Sequence, residues 1–235
     1  MNIAVIIAGG SGQRMKQDIP KQFLHVDDKP ILIYTLEVFQ QNPSVDKIVV
    51  VTIPGWQSMI EAYAKQFGIA KLETVIEGGA TRFESVRNGI ACLKDVASPD
   101  DLLLLHDGNR PLLSDDIIND GIAVAAATGS AVATSPCLDT MYVAPDPRRA
   151  EGTVTRETLY KGQSPETVRY SKAVELYQQA DQRGLKDLTI GTLLLAMGEK
   201  INMSRGAEKN IKITTPEDVE IFKALLCTRK PSWMK

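Results

Sequence analysis

The chain has 235 residues, 43% of them apolar and 24% charged, with a formal net charge of -2. That balance suits one sizeable globular unit and excludes intrinsic disorder and collagen-like sequence. With 27 Lys and Arg against 29 Asp and Glu, no broad basic face is expected, which argues against nucleic acid as the main partner.

Short apolar runs alternate with longer periodic segments along the chain. Residues 3–7, 47–51, 72–76, 102–106 and 131–135 predict strands, each almost continuously apolar as in a parallel strand buried on both faces. Helical spacing appears at Ile31, Tyr34, Thr35, Val38 and Phe39, and again at Met59, Ile60, Tyr63 and Phe67. Residues 85–93 and 115–125 complete this set. The uncharged stretch 121–138 is too polar for a membrane span, and reads as a helix end, a turn at Thr128-Gly129-Ser130, and a strand. Strand–helix–strand repetition predicts a Rossmann-like three-layer α/β/α sandwich around a mostly parallel sheet, with ligands beyond the carboxyl ends of the strands.

Between Asp139 and Tyr160 the pattern changes. Two alternating stretches flank PDPRRAEG, which predicts a long hairpin with a polar tip. Such an arm either folds back on its own domain or packs on a second subunit. Helical patterns follow at residues 171–182 and 190–197, then a strand at 201–204. Thr215-Pro216-Glu217-Asp218 opens a last helix, with Thr215 as N-cap and Pro216 in the first position. The whole reads as one domain over residues 1–235, with the arm at about 139–160. Its first apolar run is too short for a signal peptide, and no membrane segment is evident. Cys92, Cys137 and Cys227 are far apart and form neither a metal spacing nor a disulfide framework, which fits a cytoplasmic protein.

The chemical clues sit at strand ends. Ala8-Gly9-Gly10-Ser11-Gly12-Gln13-Arg14-Met15 follows the first strand, and its N–H groups could cradle phosphates. It is neither GxGxxG nor a Walker loop, and a glycine loop alone is as often a plain turn. Arg14 and Lys21 raise its interest, because two cations beside a glycine cradle suit a triphosphate. They could equally be solvated surface cations. A second loop, Glu77-Gly78-Gly79-Ala80-Thr81-Arg82-Phe83-Glu84-Ser85, offers backbone donors, Arg82 and the Ser85 hydroxyl, or is a turn with a helix cap. A third, His106-Asp107-Gly108-Asn109-Arg110-Pro111, places Asp107 where a carboxylate could hold Mg²⁺ against phosphates, unless it only forms a turn. His106 reads as a packed residue rather than a general base, and His25 as structural.

AGGSGQRM, PKQF, GGATRFESVRNG, HDGNRP, LDTM, RETLYKGQSPE and NIKITTPEDV together resemble the cytidylyltransferases that make CDP-activated polyols. One branch acts on methylerythritol phosphate in isoprenoid biosynthesis, the other on ribitol phosphate for teichoic acids or capsules. The resemblance implies a Mg²⁺-dependent transfer of CMP from CTP to a polyol phosphate, with pyrophosphate released, in a homodimer joined by hairpin arms. It implies that Arg14 and Lys21 bind the triphosphate, and that Ala8, Gly9, Gly10 and Gly12 approach the nucleotide. Gly79, Ala80, Arg82 and Ser85 would complete the cytosine and ribose pocket, Gly108 would contact the ribose, and Asp107 the metal. Thr140 and Arg156 would bind the polyol phosphate across the dimer, and Lys212 would orient it.

The chain departs from that resemblance in places. Asn109 is unusual, QSPETV replaces QTPQxF, and Leu188-Thr189-Ile190-Gly191 lacks the acid that commonly follows Thr. Lys209 stands where some relatives carry an acid. Tyr160-x-Gly162-Gln163 and Pro54-Gly55-Trp56 resemble the ribitol phosphate branch, while the Arg14 to Lys21 spacing fits the isoprenoid branch at least as well. A ribitol 5-phosphate-like acceptor is therefore placed first, with methylerythritol phosphate as the alternative. A noncatalytic nucleotide-binding scaffold is the remote alternative. It would have no need of Arg14, Lys21, Asp107 and Lys212 together.

Overall fold

A computed structural model describes residues 1–10 and 20–228. The elements run β1 (Asn2–Ala8), β2 (His25–Val26), β3 (Lys29–Pro30), α1 (Ile31–Gln41), β4 (Lys47–Thr52), α2 (Gln57–Gln66), β5 (Leu72–Glu77) and α3 (Arg82–Ala91). They continue with β6 (Leu102–Asp107), α4 (Asp115–Thr128), β7 (Ser130–Pro136), β8 (Tyr142–Val143), β9 (Gly152–Thr153) and β10 (Tyr160–Arg169). The chain closes with α5 (Tyr170–Arg183), α6 (Ile190–Ala196), β11 (Met203–Arg205) and α7 (Pro216–Thr228).

Seven strands form the central sheet in the order β11-β7-β10-β6-β1-β4-β5. All neighbours are parallel except β10, which runs antiparallel to both β6 and β7. Alternate residues of the inner strands face opposite layers, as the two-residue strand period requires. Ala4, Ile6, Val50 and Leu104 pack with Leu36 and Phe39 of α1, Ile60 of α2 and Ile118 of α4. Ile3, Val5, Val51 and Leu103 pack with Val86 and Ile90 of α3 and with Leu176 and Tyr177 of α5. Both faces are thus covered, which explains why these strands read as unbroken apolar runs.

The expected turn after α4 is present. Gly129 takes φ 91°, a left-handed helix end that a side chain would strain, and its N–H donates to the Ala125 carbonyl at 2.8 Å. Among the described residues, no helix is long and apolar enough to cross a membrane.

One expectation needs correction. β10 is the longest strand of the sheet and no strand was expected over its length. Its sequence, YKGQSPETVR, contains a proline and little alternation. Its ladder to β7 is interrupted between Gly162 and Glu166, the span that holds Pro165, which has no N–H to give. Residues 164–168 are nevertheless buried, so position between β6 and β7 overrides local pattern. The arm itself pairs over a short span within residues 139–160. Tyr142–Val143 and Gly152–Thr153 pair, Val154 donates to the Met141 carbonyl, a bridge joins Asp146 and Arg149 at the tip, and a 3₁₀ turn follows at Arg156–Thr158. The second flank does not complete the hairpin, because from Tyr160 it enters the central sheet as β10.

Candidate active site

Asp107 is the last residue of β6, at the carboxyl end of the sheet, and it is buried. Three cations converge on it. Arg82, the first residue of α3, brings Nε to 3.1 Å of Oδ1. Lys212 Nζ lies 2.9 Å from Oδ2, and Arg110 Nε 3.4 Å from the same oxygen. Burial alone would raise the Asp107 carboxyl, but Arg82, Lys212 and Arg110 offset it and hold the group well below the usual carboxylate range. Burial lowers Arg82 less than Asp107 and Glu166 raise it, so its guanidinium stays charged.

His106 supports this cluster from behind. It is buried on β6 with its ring 5.2 Å from that of Phe39 in α1, and burial pushes it down to about 4, so it is neutral near pH 7. Its Nε2 donates to the Arg110 carbonyl at 3.2 Å, since a carbonyl can only accept. Nδ1 therefore accepts from the Ser164 hydroxyl at 3.0 Å, and Ser164 Oγ in turn accepts the Asp107 N–H at 3.1 Å. This closed relay fixes the backbone of Asp107 and Arg110. It leaves His106 no role as a base, in line with its reading as a packed residue.

Lys212 sits in a segment without regular structure, so something else must hold it. Asn109 does so. Its main chain accepts the Ile213 N–H at 2.9 Å and its amide donates back to the Ile213 carbonyl. Arg110 Nη1 donates to the Asn210 carbonyl at 2.6 Å, and Asn210 Nδ2 to the Ser164 carbonyl at 2.8 Å. The unusual Asn109 is therefore a brace that brings Lys212 to Asp107.

The two glycine loops flank a cavity of about 320 Å³ lined by Ala8, Gly9, Gly10, Lys21, Ala80, Arg82, Ser85, Asp107 and Lys212, among others. Gln22 anchors its floor, donating from Nε2 to the Ala8 carbonyl at 2.6 Å. The lining holds Lys21, Arg82 and Lys212 against one carboxylate, Asp107, and so carries an excess of positive charge. That suits a polyanion. Gly12 and Arg14 lie outside the described residues.

The second loop is knit more tightly than its sequence suggested. Thr81 and Glu84 form a capping box on α3. Glu84 Oε2 accepts the Ala80 N–H at 2.7 Å, and Ser85 Oγ accepts the Gly79 N–H at 3.2 Å while donating to the Thr81 carbonyl at 2.9 Å. These donors are engaged by the loop itself. Gly79 is required by close approach, because a Cβ there would lie 2.3 Å from Glu84 Cβ. Gly108 also turns inward, giving its N–H to the Ile7 carbonyl and accepting from Thr35 Oγ1.

A second cavity of about 310 Å³ adjoins the first, lined by Arg110, Gln163, Ser164, Glu166, Thr189 and Gly191 among others. Arg82, Asp107 and Lys212 line both, and so form the wall between them. Thr140 and Arg156 are exposed on the arm and line neither. Arg156 Nη1 donates to the Leu138 carbonyl at 3.2 Å.

Arg110, Glu166 and Gln22 were quoted within motifs but given no role by sequence. Their functions depend on partners far along the chain, and only their membership in HDGNRP, QSPE and PKQF marked them.

This arrangement matches a known family. The model of IspD, 2-C-methyl-D-erythritol 4-phosphate cytidylyltransferase, matches residues 2–228. The chain belongs to the IspD family. A ribitol-5-phosphate cytidylyltransferase of Lacticaseibacillus paracasei is 35% identical, with 96% of this chain and 98% of that protein covered. A 2-C-methyl-D-erythritol 4-phosphate cytidylyltransferase of Alkaliphilus oremlandii is 34% identical, with 96% and 95% covered. The crystal structure of the Francisella tularensis 2-C-methyl-D-erythritol 4-phosphate cytidylyltransferase superposes with a TM-score of 0.80 at 28% identity, covering 95% of this chain and 99% of that one. Membership makes this chain a nucleotidyltransferase, and it agrees with the Rossmann-like fold expected from sequence.

Proposed function

We propose that this chain transfers CMP from CTP to a polyol phosphate of the ribitol 5-phosphate kind and releases pyrophosphate. The observation that carries the transfer is the shared wall of Arg82, Asp107 and Lys212 between two cavities. The glycine-loop cavity would take CTP, and the neighbouring one the acceptor. The reacting phosphates would then meet at the cationic wall.

A phosphate monoester oxygen is already anionic near neutral pH. It would attack the α-phosphorus in line with the departing pyrophosphate, without a covalent enzyme intermediate. Positioning and charge stabilisation would carry the rate. Lys21 and Arg14 would hold the triphosphate, Arg82 the α-phosphate region, and Lys212 the incoming phosphate. Ala8, Gly9 and Gly10 would bring main chain close to the nucleotide.

Asp107 is the residue that would hold Mg²⁺, giving up one of its present cation contacts to do so. Among the described residues no three His, Cys, Asp or Glu cluster to ligate a metal. A single carboxylate suits Mg²⁺, which commonly takes one or two carboxylates and completes its shell with phosphates and water. When bound, the ion would neutralise charge on the triphosphate.

Identity does not separate the two acceptor branches, since relatives named for each match at 34–35%. The Tyr160-x-Gly162-Gln163 run favours the ribitol branch, and both Gly162 and Gln163 line the second cavity. Methylerythritol phosphate is the alternative, supported by the family model.

The arm supports a homodimer. Six of the eleven exposed large apolar side chains among the described residues, Leu138, Met141, Tyr142, Val143, Val154 and Tyr160, lie on or beside it. A partner's arm would cover them and would bring Thr140 and Arg156 to the acceptor phosphate. The three cysteines are free, which fits the cytoplasm.

Pyrophosphate release with CTP, UTP or ATP and a panel of polyol phosphates tests the reading. CTP with ribitol 5-phosphate should give the highest kcat/KM. Release with methylerythritol phosphate alone would select the alternative, and equal turnover with ATP would overturn the assignment of the glycine loops to a pyrimidine.

A further inference from the structure

We propose that Glu166 reads the hydroxyl-bearing end of the acceptor, as a specificity-determining residue of the second cavity. The proposal rests on the transfer reading above. Glu166 lies on β10 and is only 4% exposed, yet it lines that cavity. Oε1 accepts the Gly191 N–H at 2.9 Å, and Oε2 faces Arg82 Nη2 at 3.5 Å. A carboxylate offers about four acceptor positions, so these two contacts leave capacity toward the cavity.

The other polar groups of the lining are committed elsewhere. Both oxygens of Asp107 face cations. Ser164 Oγ is held between His106 and the Asp107 N–H. Gln163 bonds Ser135, Ala207 and Asn210 through its amide. The hydroxyls of Thr189 and Thr192 close the capping box of α6. Val132 and Ile201 supply apolar wall. Glu166 is thus the strong acceptor left for a substrate hydroxyl, whereas Arg110 and Lys212, although paired with Asp107, keep further N–H donors for its phosphate.

That polarity orients the ligand. A polyol phosphate enters with its phosphate toward Lys212 and a hydroxyl donating to Glu166. The contact is a hydrogen bond only; no proton is transferred and no covalent bond changes. An acceptor lacking that hydroxyl leaves a buried carboxylate unsatisfied, and one carrying a second anion there is repelled.

The test compares a polyol phosphate with analogues that each lack one hydroxyl, using wild type and Glu166→Gln at saturating CTP. The amide oxygen can still accept the Gly191 N–H, so the variant keeps the bond to α6 and loses the charge. Glu166→Gln should raise the acceptor KM about tenfold or more while the CTP KM stays within about twofold. One analogue should be poor with wild type and should discriminate little between the two proteins. Wild-type turnover with hydroxyl discrimination intact in Glu166→Gln would overturn the assignment of Glu166 alone. Equal rises in both KM values would also overturn it, in favour of support for Arg82. No pyrophosphate release by wild type with any acceptor would overturn the transfer reading and this proposal together.

Discussion

The carboxyl end of β6 and the arm at residues 139–160 are built in opposite ways. Asp107 is buried and braced by three other parts of the chain: Arg82 of α3, Ser164 of β10, and the segment before α7, which brings Lys212 to Asp107 and Asn210 to Arg110 and Ser164. The arm pairs Tyr142–Val143 with Gly152–Thr153 and bridges Asp146 to Arg149, exposes its apolar side chains and carries Arg156 beside Leu138 and Glu157. One region is complete within a single chain. The other buries little and gains a purpose only against another surface. The contrast separates the nucleotide side of the reaction, organised by the fold itself, from an acceptor side to which a partner would add Thr140 and Arg156.

The largest expected effect lies on the nucleotide side. Lys21→Ala should lower turnover by about 10² or more, because a preorganised cation acts most strongly on transition-state charge. Mixing inactive Lys21→Ala chains with inactive Arg156→Ala chains should restore activity, since one site of each mixed dimer would hold both intact residues. Assay of mixed dimers confirmed by mass spectrometry decides this. Unrecovered activity would show that the arm serves its own subunit, and the contrast between the regions would fail.

The buried cluster should also show in acid. Burial lowers His106 from 6.5 to about 4, so between these values the unfolded chain binds more protons than the folded one. Stability therefore rises with pH across that window and is lost on acidification, by up to about 3 kcal/mol. Asp107, whose carboxyl is depressed, loses its contribution in the same direction at still lower pH. Urea unfolding at about pH 7 and about pH 4.5 measures the difference. His106→Gln should flatten the upper part of this slope, whatever it costs in stability at neutral pH. An unchanged slope in that variant would place the acid lability elsewhere.

Smaller effects are expected on the arm. Arg156→Lys keeps the charge but loses the bidentate fork, and should raise the acceptor KM about tenfold with the CTP KM little changed. Tyr142→Ser should alter the folding stability of a single chain by no more than about 0.5 kcal/mol, as expected for an exposed site. Its effect should appear instead as a weaker dimer in sedimentation. A large loss of single-chain stability would mean that the arm already packs on its own domain.

Sequence alone determined the layered architecture, because strands covered on both faces must be apolar throughout and helices between them must show one apolar stripe. The order of strand ends also placed the glycine loops and Asp107 at one edge of a sheet. Tertiary structure decided the rest. It made a strand of YKGQSPETVR by burying it between β6 and β7, against its proline and its polar residues. It engaged the Gly79 and Ala80 donors with Ser85 and Glu84 of α3, in a stretch that also reads, in sequence, as an open loop. It turned Asn109 into the brace for Lys212, and Glu166 into a carboxylate facing a cavity, through contacts with residues 213 and 191 that no local spacing encodes. Local periodicity reports which side of an element meets the core. Which distant polar groups satisfy one another depends on how the elements pack, so the electrostatics of this site became legible only in the folded chain.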